Sequence, residues 1–347
     1  MQQKNKSSSN LSRLVLIATL FSLFVIALGA YTRLVHAGLG CPDWPLCYGH
    51  LWAPVESADI IKANLAFPDA PVDLSITWPE MTHRYLATSL GLFCIAIVLL
   101  CYREKKRIGQ APLKHSVLLL FFIILQGLFG MWTVTLKLWP QVVTTHLLGG
   151  FFTFSLLLLL WLRLNKRVII SGESNVVRGK HKTLCWLALA ALLITLFQIG
   201  LGGWTTSNYA ALACTQLPWC DLSHLDSNDF SQAFNVFQQV GPNYLGGQLD
   251  AGARIAIHIS HRIGAVLVTI VIGILLISLV RARYYRLVLG LAGLLFIQLS
   301  LGLANVYFYL PLFNAVAHNV MGAILFGGLV GTNYYLWSKA AGEELKR

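Results

Sequence analysis

Side chains able to do acid–base, metal or redox chemistry recur at matched spacings in this 347-residue chain. His261 stands 178 residues after His83, and His318 stands 172 after His146. Glu80 lies three residues before His83 and His258 three before His261, so each pair shares a helix face. Arg84 and Arg262 follow the two histidines directly. Two cysteine pairs, Cys41-x5-Cys47 and Cys214-x5-Cys220, are 173 residues apart and have Pro and Trp neighbours. Imidazole can bind a metal or carry a proton. A carboxyl can take or give a proton, and paired cysteines can close a disulfide.

The elements that must hold these groups are membrane helices. Hydrophobic residues make up 56% of the chain and charged residues 12%, about half the usual charged share. With a mean hydropathy of +0.65, this excludes an ordinary soluble surface, disorder, collagen and small disulfide scaffolds. Eight apolar stretches reach the span length of about 20 helical residues, at roughly 13–33, 80–102, 115–136, 141–162, 183–204, 255–280, 286–307 and 312–337. No period-2 alternation suggests a barrel.

A net charge of +12 invites a nucleic-acid reading, but its distribution argues for orientation instead. The segments 1–13, 103–114, 163–182, 281–286 and 338–347 hold 20 of the 26 Lys and Arg, while ten of the 14 acids lie elsewhere. The positive-inside rule then places both termini in the cytoplasm and two acidic loops, about 34–79 and 205–254, outside. The first apolar run has full span length and an internal counterpart, so it reads as a retained helix rather than a cleaved signal.

Self-comparison yields an internal repeat. Leu28-Gly29 matches Leu201-Gly202, and Gln126-x3-Gly130 matches Gln298-x3-Gly302. The expected fold is all-α and polytopic, two parallel-repeat four-helix bundles related by a pseudo-two-fold axis along the membrane normal. Residues 1–164 form the first bundle, 165–182 a cytoplasmic linker, 183–337 the second bundle and 338–347 a cytoplasmic tail.

His146 lies six residues past Pro140 and His318 seven past Pro311, so all four histidines fall in the outer half of the membrane, two per bundle. Polar groups at that depth are costly and point to function. Two imidazoles on facing helices, with no nearby cysteine or carboxylate pair, leave a tetrahedral zinc site half empty. A porphyrin asks the protein for two axial ligands only, so the pairs read as heme ligands. Gly149, Gly150 and Gly322 follow the even-span histidines, and Gly127, Gly130, Gly202, Gly203 and Gly302 line odd spans. They could seat a macrocycle or simply pack helices. Arg84 and Arg262 could pair with heme propionates or reach to the interface, and Arg33 is similar. Glu80 could move a proton beside a bound macrocycle or be an interfacial acid. Its counterpart is His258, which suggests that the first half does chemistry and the second holds a cofactor. Cys41–Cys47 and Cys214–Cys220 are expected to form disulfides, either structural or, for the first pair, in redox or substrate transfer. Cys94, Cys101 and Cys185 fall in or below the membrane.

Leu39-Gly-Cys-Pro-Asp-Trp-Pro-Leu-Cys47, Glu80-x-x-His83-Arg84, His261-Arg262, His146 and His318 together resemble the heme A synthase family, in its bacterial type with two extracytoplasmic cysteine pairs. The resemblance covers nearly the whole chain. It implies an oxidoreductase that converts the C8 methyl of heme O to a formyl group by two successive hydroxylations, giving heme A for terminal oxidases. It also implies His83 and His146 at the substrate iron, Glu80 as catalytic carboxylate, and His261 and His318 as ligands of a heme b cofactor. The implied setting is the bacterial inner membrane. The implied partners are the farnesyltransferase that makes heme O and the oxidase or its assembly factors, with a homo-oligomer compatible.

With both imidazoles retained on the substrate iron, oxidation would remove electrons from the macrocycle and water would attack the cationic carbon. With one imidazole released, iron could activate O2. Two rivals from other classes are a bis-His cytochrome b that only transfers electrons and a heme transporter or chaperone. The first would not need Glu80, and the second would favour a weaker ligand set and a route through the membrane, whereas all four histidines lie on one side.

Overall fold

The computed structural model describes residues 2–165, 178–223 and 225–344. Among these residues it is all helical, with ten α-helices and no strand. Eight are membrane-length: α1 (Gln2–Leu34), α3 (Leu74–Ile108), α4 (Leu113–Thr135), α5 (Pro140–Leu164), α6 (Arg178–Ser207), α8 (Ala251–Arg281), α9 (Tyr285–Tyr307) and α10 (Leu312–Glu344). Two short helices, α2 (Ser57–Ala66) and α7 (Ser227–Ala233), lie in the two long loops.

The surface identifies the solvent. Phe24, Leu92, Phe121, Ile124, Phe197, Ile270 and Phe296 are large apolar side chains left exposed. Thr19, Ser22, Thr32 and Asn333 are buried, each bonded to a backbone carbonyl. Such an arrangement suits hydrocarbon, where backbone groups must be satisfied inside the helix. The chain is a multi-pass membrane protein.

Helix α3 starts at Leu74, six residues before the apolar run that predicts it. Asp73 caps it by accepting from the Ser75 amide at 2.8 Å, and the Ser75 N–H and hydroxyl hold the Asp73 carboxyl below its usual range. Its last turn carries Lys105, Lys106 and Arg107 before Gly109 at φ 73°, a basic end followed by a left-handed glycine stop. Pro140 begins α5, where its missing N–H costs nothing. A reciprocal cap between Asp226 and Asp229 starts α7.

Two cores form separately. One joins Val15, Ala18, Leu90, Ile97, Leu119, Leu157 and Leu160 of α1, α3, α4 and α5. The other joins Ala188, Ile272, Leu275, Leu291, Leu329 and Leu336 of α6, α8, α9 and α10. A smaller cluster of Phe151, Phe154 and Ala323 seals the seam, and a Cβ at Gly327 would press on the Phe154 ring at 2.7 Å. Across that seam α1 packs on α10, and α5 packs on both α6 and α10.

The pattern is compatible with two-fold repetition. Each pairing in the first set, α1–α3, α1–α5, α3–α4 and α4–α5, has its counterpart in α6–α8, α6–α10, α8–α9 and α9–α10. Arg33 Nη2 donates to the carbonyl of Thr206, 173 residues on, at 2.8 Å. The His36 ring stacks on Tyr209, again 173 residues on, at 5.5 Å and 5°. Contacts between such equivalents are compatible with a two-fold relation, as is the direct packing of α5 on its counterpart α10. The linker expected at 165–182 has residues 166–177 outside the described residues, and the expected tail continues α10 as helix to Glu344.

Both long loops fold at the same end of the bundle. The second crosses onto the first half. The Tyr244 amide donates to the Lys137 carbonyl at 3.0 Å, Trp139 Nε1 to Gln238 O at 3.1 Å, and Gln141 Nε2 to Val236 O at 2.9 Å.

Candidate heme-binding and catalytic site

All four histidines sit near the loop-bearing end. His83 is nine residues into α3 and His261 ten into α8, while His146 and His318 are each six past the first residue of α5 and α10. At 1.5 Å per residue these are depths of about 9–15 Å. His83 and His146 are electrostatic neighbours, as are His261 and His318. The rings lie deep among protein atoms yet keep part of their surface uncovered.

Each ring leans on a glycine of the neighbouring helix. A Cβ would approach the imidazole Cε1 to 2.9 Å at Gly29 (His83), 3.3 Å at Gly130 (His146), 3.2 Å at Gly202 (His261) and 3.1 Å at Gly302 (His318). These are tight or forbidden distances, so the missing side chain admits the ring. The other glycines sort differently. Gly203 faces Thr144 across the seam, Gly149, Gly150 and Gly322 face glutamine side chains, and Gly127 faces open space.

The Nδ1 atoms of His83, His146 and His318 are buried without a well-formed hydrogen bond, each ring facing the backbone of the neighbouring helix at Val25, Gln126 or Gln298. Unpaired buried polar atoms are rare and call for an explanation. Two imidazoles per half, each cradled by a glycine, are residues that could hold a heme iron. Among the described residues no cluster of three His, Cys, Asp or Glu offers a conventional metal site.

Glu80 is buried, at 4% exposure. Its Oε2 accepts from the Cys41 amide at 2.9 Å, and its Oε1 pairs with Arg84. Gly40 makes this approach feasible, since a Cβ there would stand 2.7 Å from the Ile76 carbonyl carbon of α3. Arg84 Nη1 donates to the carbonyls of Asp43 and Leu46 at 3.0 and 2.7 Å. One carboxylate and one guanidinium thereby hold the Cys41–Cys47 disulfide loop on the helix that carries His83.

The second half repeats the clasp with a different partner. Arg262 donates to the carbonyls of Gln216 at 2.7 Å, Pro218 at 3.0 Å and Cys214 at 2.6 Å, around the Cys214–Cys220 disulfide. His258 stands in place of Glu80, with Nδ1 2.9 Å from the Ala210 carbonyl. Both arginines thus engage loop carbonyls, a use that spacing alone does not reveal because periodicity shows a face and not what lies across it. Near the first loop, burial and the charges of Glu80, Asp43 and Asp73 push the Tyr48 phenol above its usual range. Tyr48 therefore remains a donor to the Pro71 carbonyl at 3.2 Å.

With this geometry in view, the chain can be set beside known proteins. A family model described as COX15-CtaA, cytochrome oxidase assembly protein, matches residues 12–330. The heme A synthase of Shewanella oneidensis is 46% identical over 332 residues, covering 95% of this chain and 98% of its own. The heme A synthase of Bacillus pumilus is 24% identical over 327 residues, covering 91% and 92%. That of Geobacillus thermodenitrificans is 27% identical over 334 residues, covering 90% and 86%.

Proposed function

We infer that this chain, which belongs to the COX15-CtaA family and groups with its heme A synthases, converts heme O to heme A by oxidising the C8 methyl to a formyl group in two hydroxylations. The observation that carries the reading is the set of two enclosed imidazole pairs, each ring resting on a glycine of the next helix. A protein that only moved electrons would need the pairs but not the buried carboxylate beside one of them.

In this reading His83 and His146 hold the substrate iron, and His261 and His318 hold heme b. Bound there, heme b supplies one-electron transfer to and from the reacting half. Glu80 acts as the catalytic carboxylate. Its carboxylate is held by Arg84 and the amides of Cys41 and Gly40, three donors for about four lone-pair sites. Glu80 can therefore take a proton from water without releasing the loop, and its side chain stays aimed from the face that also carries His83. The disulfide loop and the second loop, which crosses onto Trp139 and Gln141, cover this end and limit water there. Arg84 and Arg262 remain candidates for propionate contacts only through hydrogen-bonding capacity beyond their loop carbonyls. The basic segments support a bacterial inner-membrane placement with both termini cytoplasmic and the cysteine loops outside. The farnesyltransferase that makes heme O would supply the substrate, and a terminal oxidase or its assembly factors would take the product.

Expression with a heme O source, followed by pigment extraction and mass analysis, tests this function. Glu80→Gln is expected to retain both hemes and yield no formyl product. Normal formyl production by that variant would refute the catalytic assignment, and unchanged heme O from the native chain would favour an electron-transfer cytochrome.

A further inference from the structure

Spans one, three, five and seven carry one signature: Val25-x3-Gly29, Gln126-x3-Gly130, Gln198-x3-Gly202 and Gln298-x3-Gly302. The glycine of each meets a histidine ring. The glutamine, one turn away on the same face, reaches the same histidine. Gln126 Nε2 donates to the His146 carbonyl at 2.5 Å. Gln198 Nε2 donates to the His261 carbonyl at 2.9 Å and lies 3.0 Å from its ring Nδ1. Gln298 Nε2 lies 3.4 Å from the His318 ring nitrogen Nε2.

The histidine helices make room for these side chains. Gly149, Gly264 and Gly322 stand three or four residues past their histidines, and a Cβ at each would meet the carboxamide of Gln126, Gln198 or Gln298. The α1–α3 pair departs from this on both sides at once. Val25 replaces the glutamine, and Leu86 and Ala87 stand where the glycine would be, in one apolar cluster. A polar contact with a cavity to fit it has been exchanged as a unit for an apolar one.

A buried carboxamide beside an imidazole fixes ring orientation, because in a low-dielectric interior neither partner can exchange its bond for water. Gln198 and Gln298 each keep a buried, unpartnered Oε1, which a flip of the carboxamide would present to an imidazole N–H. His83 has no carboxamide beside it, and for hydrogen bonding its ring meets only the backbone of Val25. An enzyme must keep its cofactor and release its product, and the distribution follows that need, with a carboxamide at both histidines in one half and at only one in the other.

We propose that Gln126, Gln198 and Gln298 are positioning residues for His146, His261 and His318, and that His83 is the exchangeable ligand through which the substrate porphyrin enters and leaves. This rests on the assignment of the four histidines as heme ligands.

Transfer of heme from the detergent-purified full chain to apomyoglobin, read together with the low-spin electron paramagnetic resonance signals, tests it. The native protein is expected to lose substrate-site heme faster than heme b. Gln198→Leu should speed heme b loss by about 10–100-fold and shift its low-spin signal, and Gln198→Met, which fills the same space without the Nε2 donor, should do the same. Val25→Gln with Leu86→Gly should slow substrate-site loss while leaving the heme b signal in place, which also reports an intact fold. Native release rates and signals in Gln198→Leu, or an unslowed substrate site in the folded double variant, would overturn the proposal. A His261→Ala chain that keeps its heme b spectrum would instead overturn the ligand assignment beneath it.

Discussion

Arg84 shows how much one side chain can organise. It meets a buried carboxylate and the carbonyls of Asp43 and Leu46 at once, from a position one residue past a histidine. Removing it leaves Glu80 a buried charge without its cation, and for a buried pair that loss is about 3–5 kcal/mol. Arg84→Ala is therefore expected to lower the thermal midpoint and expose the 41–47 loop to reductant. Arg84→Lys keeps the charge but cannot reproduce the planar fork, so it should recover part of the stability and little of the loop protection. A native midpoint and native disulfide protection in Arg84→Ala would contradict this role. His258 and Glu80 mark the same helix position in the two halves, yet only the carboxylate faces a disulfide-loop amide. The chemical difference between the halves is legible in those two residue types. Their partners are not, since these come from loops whose path no helical period specifies.

At the scale of the element, helices make the site by what they omit. Gly29 on α1 and Gly127 on α4 look alike in sequence, but a Cβ at the first would press on His83 at 2.9 Å and at the second would meet nothing. Gly29→Ala is expected to displace the His83 ring and weaken substrate-heme binding on the order of tenfold, with Gly127→Ala as a silent control. Equal heme titrations for the two variants would show that the glycine does not seat the ring. All eight spans could be read from apolar length, because a bilayer demands about 20 such residues. Their ends could not. Helix α3 begins at Leu74, where Asp73 caps it, and α8 at Ala251, because each helix runs on past its apolar stretch. The shared Gln-x3-Gly signature was visible in spans three and seven. That span five shares it and span one lacks only its glutamine becomes meaningful once each glutamine is seen over a glycine.

For the whole molecule, two helix sets with separate cores meet at a seam of Phe151, Phe154 and Ala323, while the second loop reaches over the first set. Each half owns its imidazole pair, so loss of one heme should leave the other in place. The most direct test of the central claim is mass analysis of porphyrins extracted from the purified native, His83→Ala and His261→Ala chains made with a heme O supply. The account predicts heme b plus heme O or heme A in the native chain, heme b alone in His83→Ala, and no heme b in His261→Ala. A native chain without porphyrin, or identical pigments in all three, would contradict it.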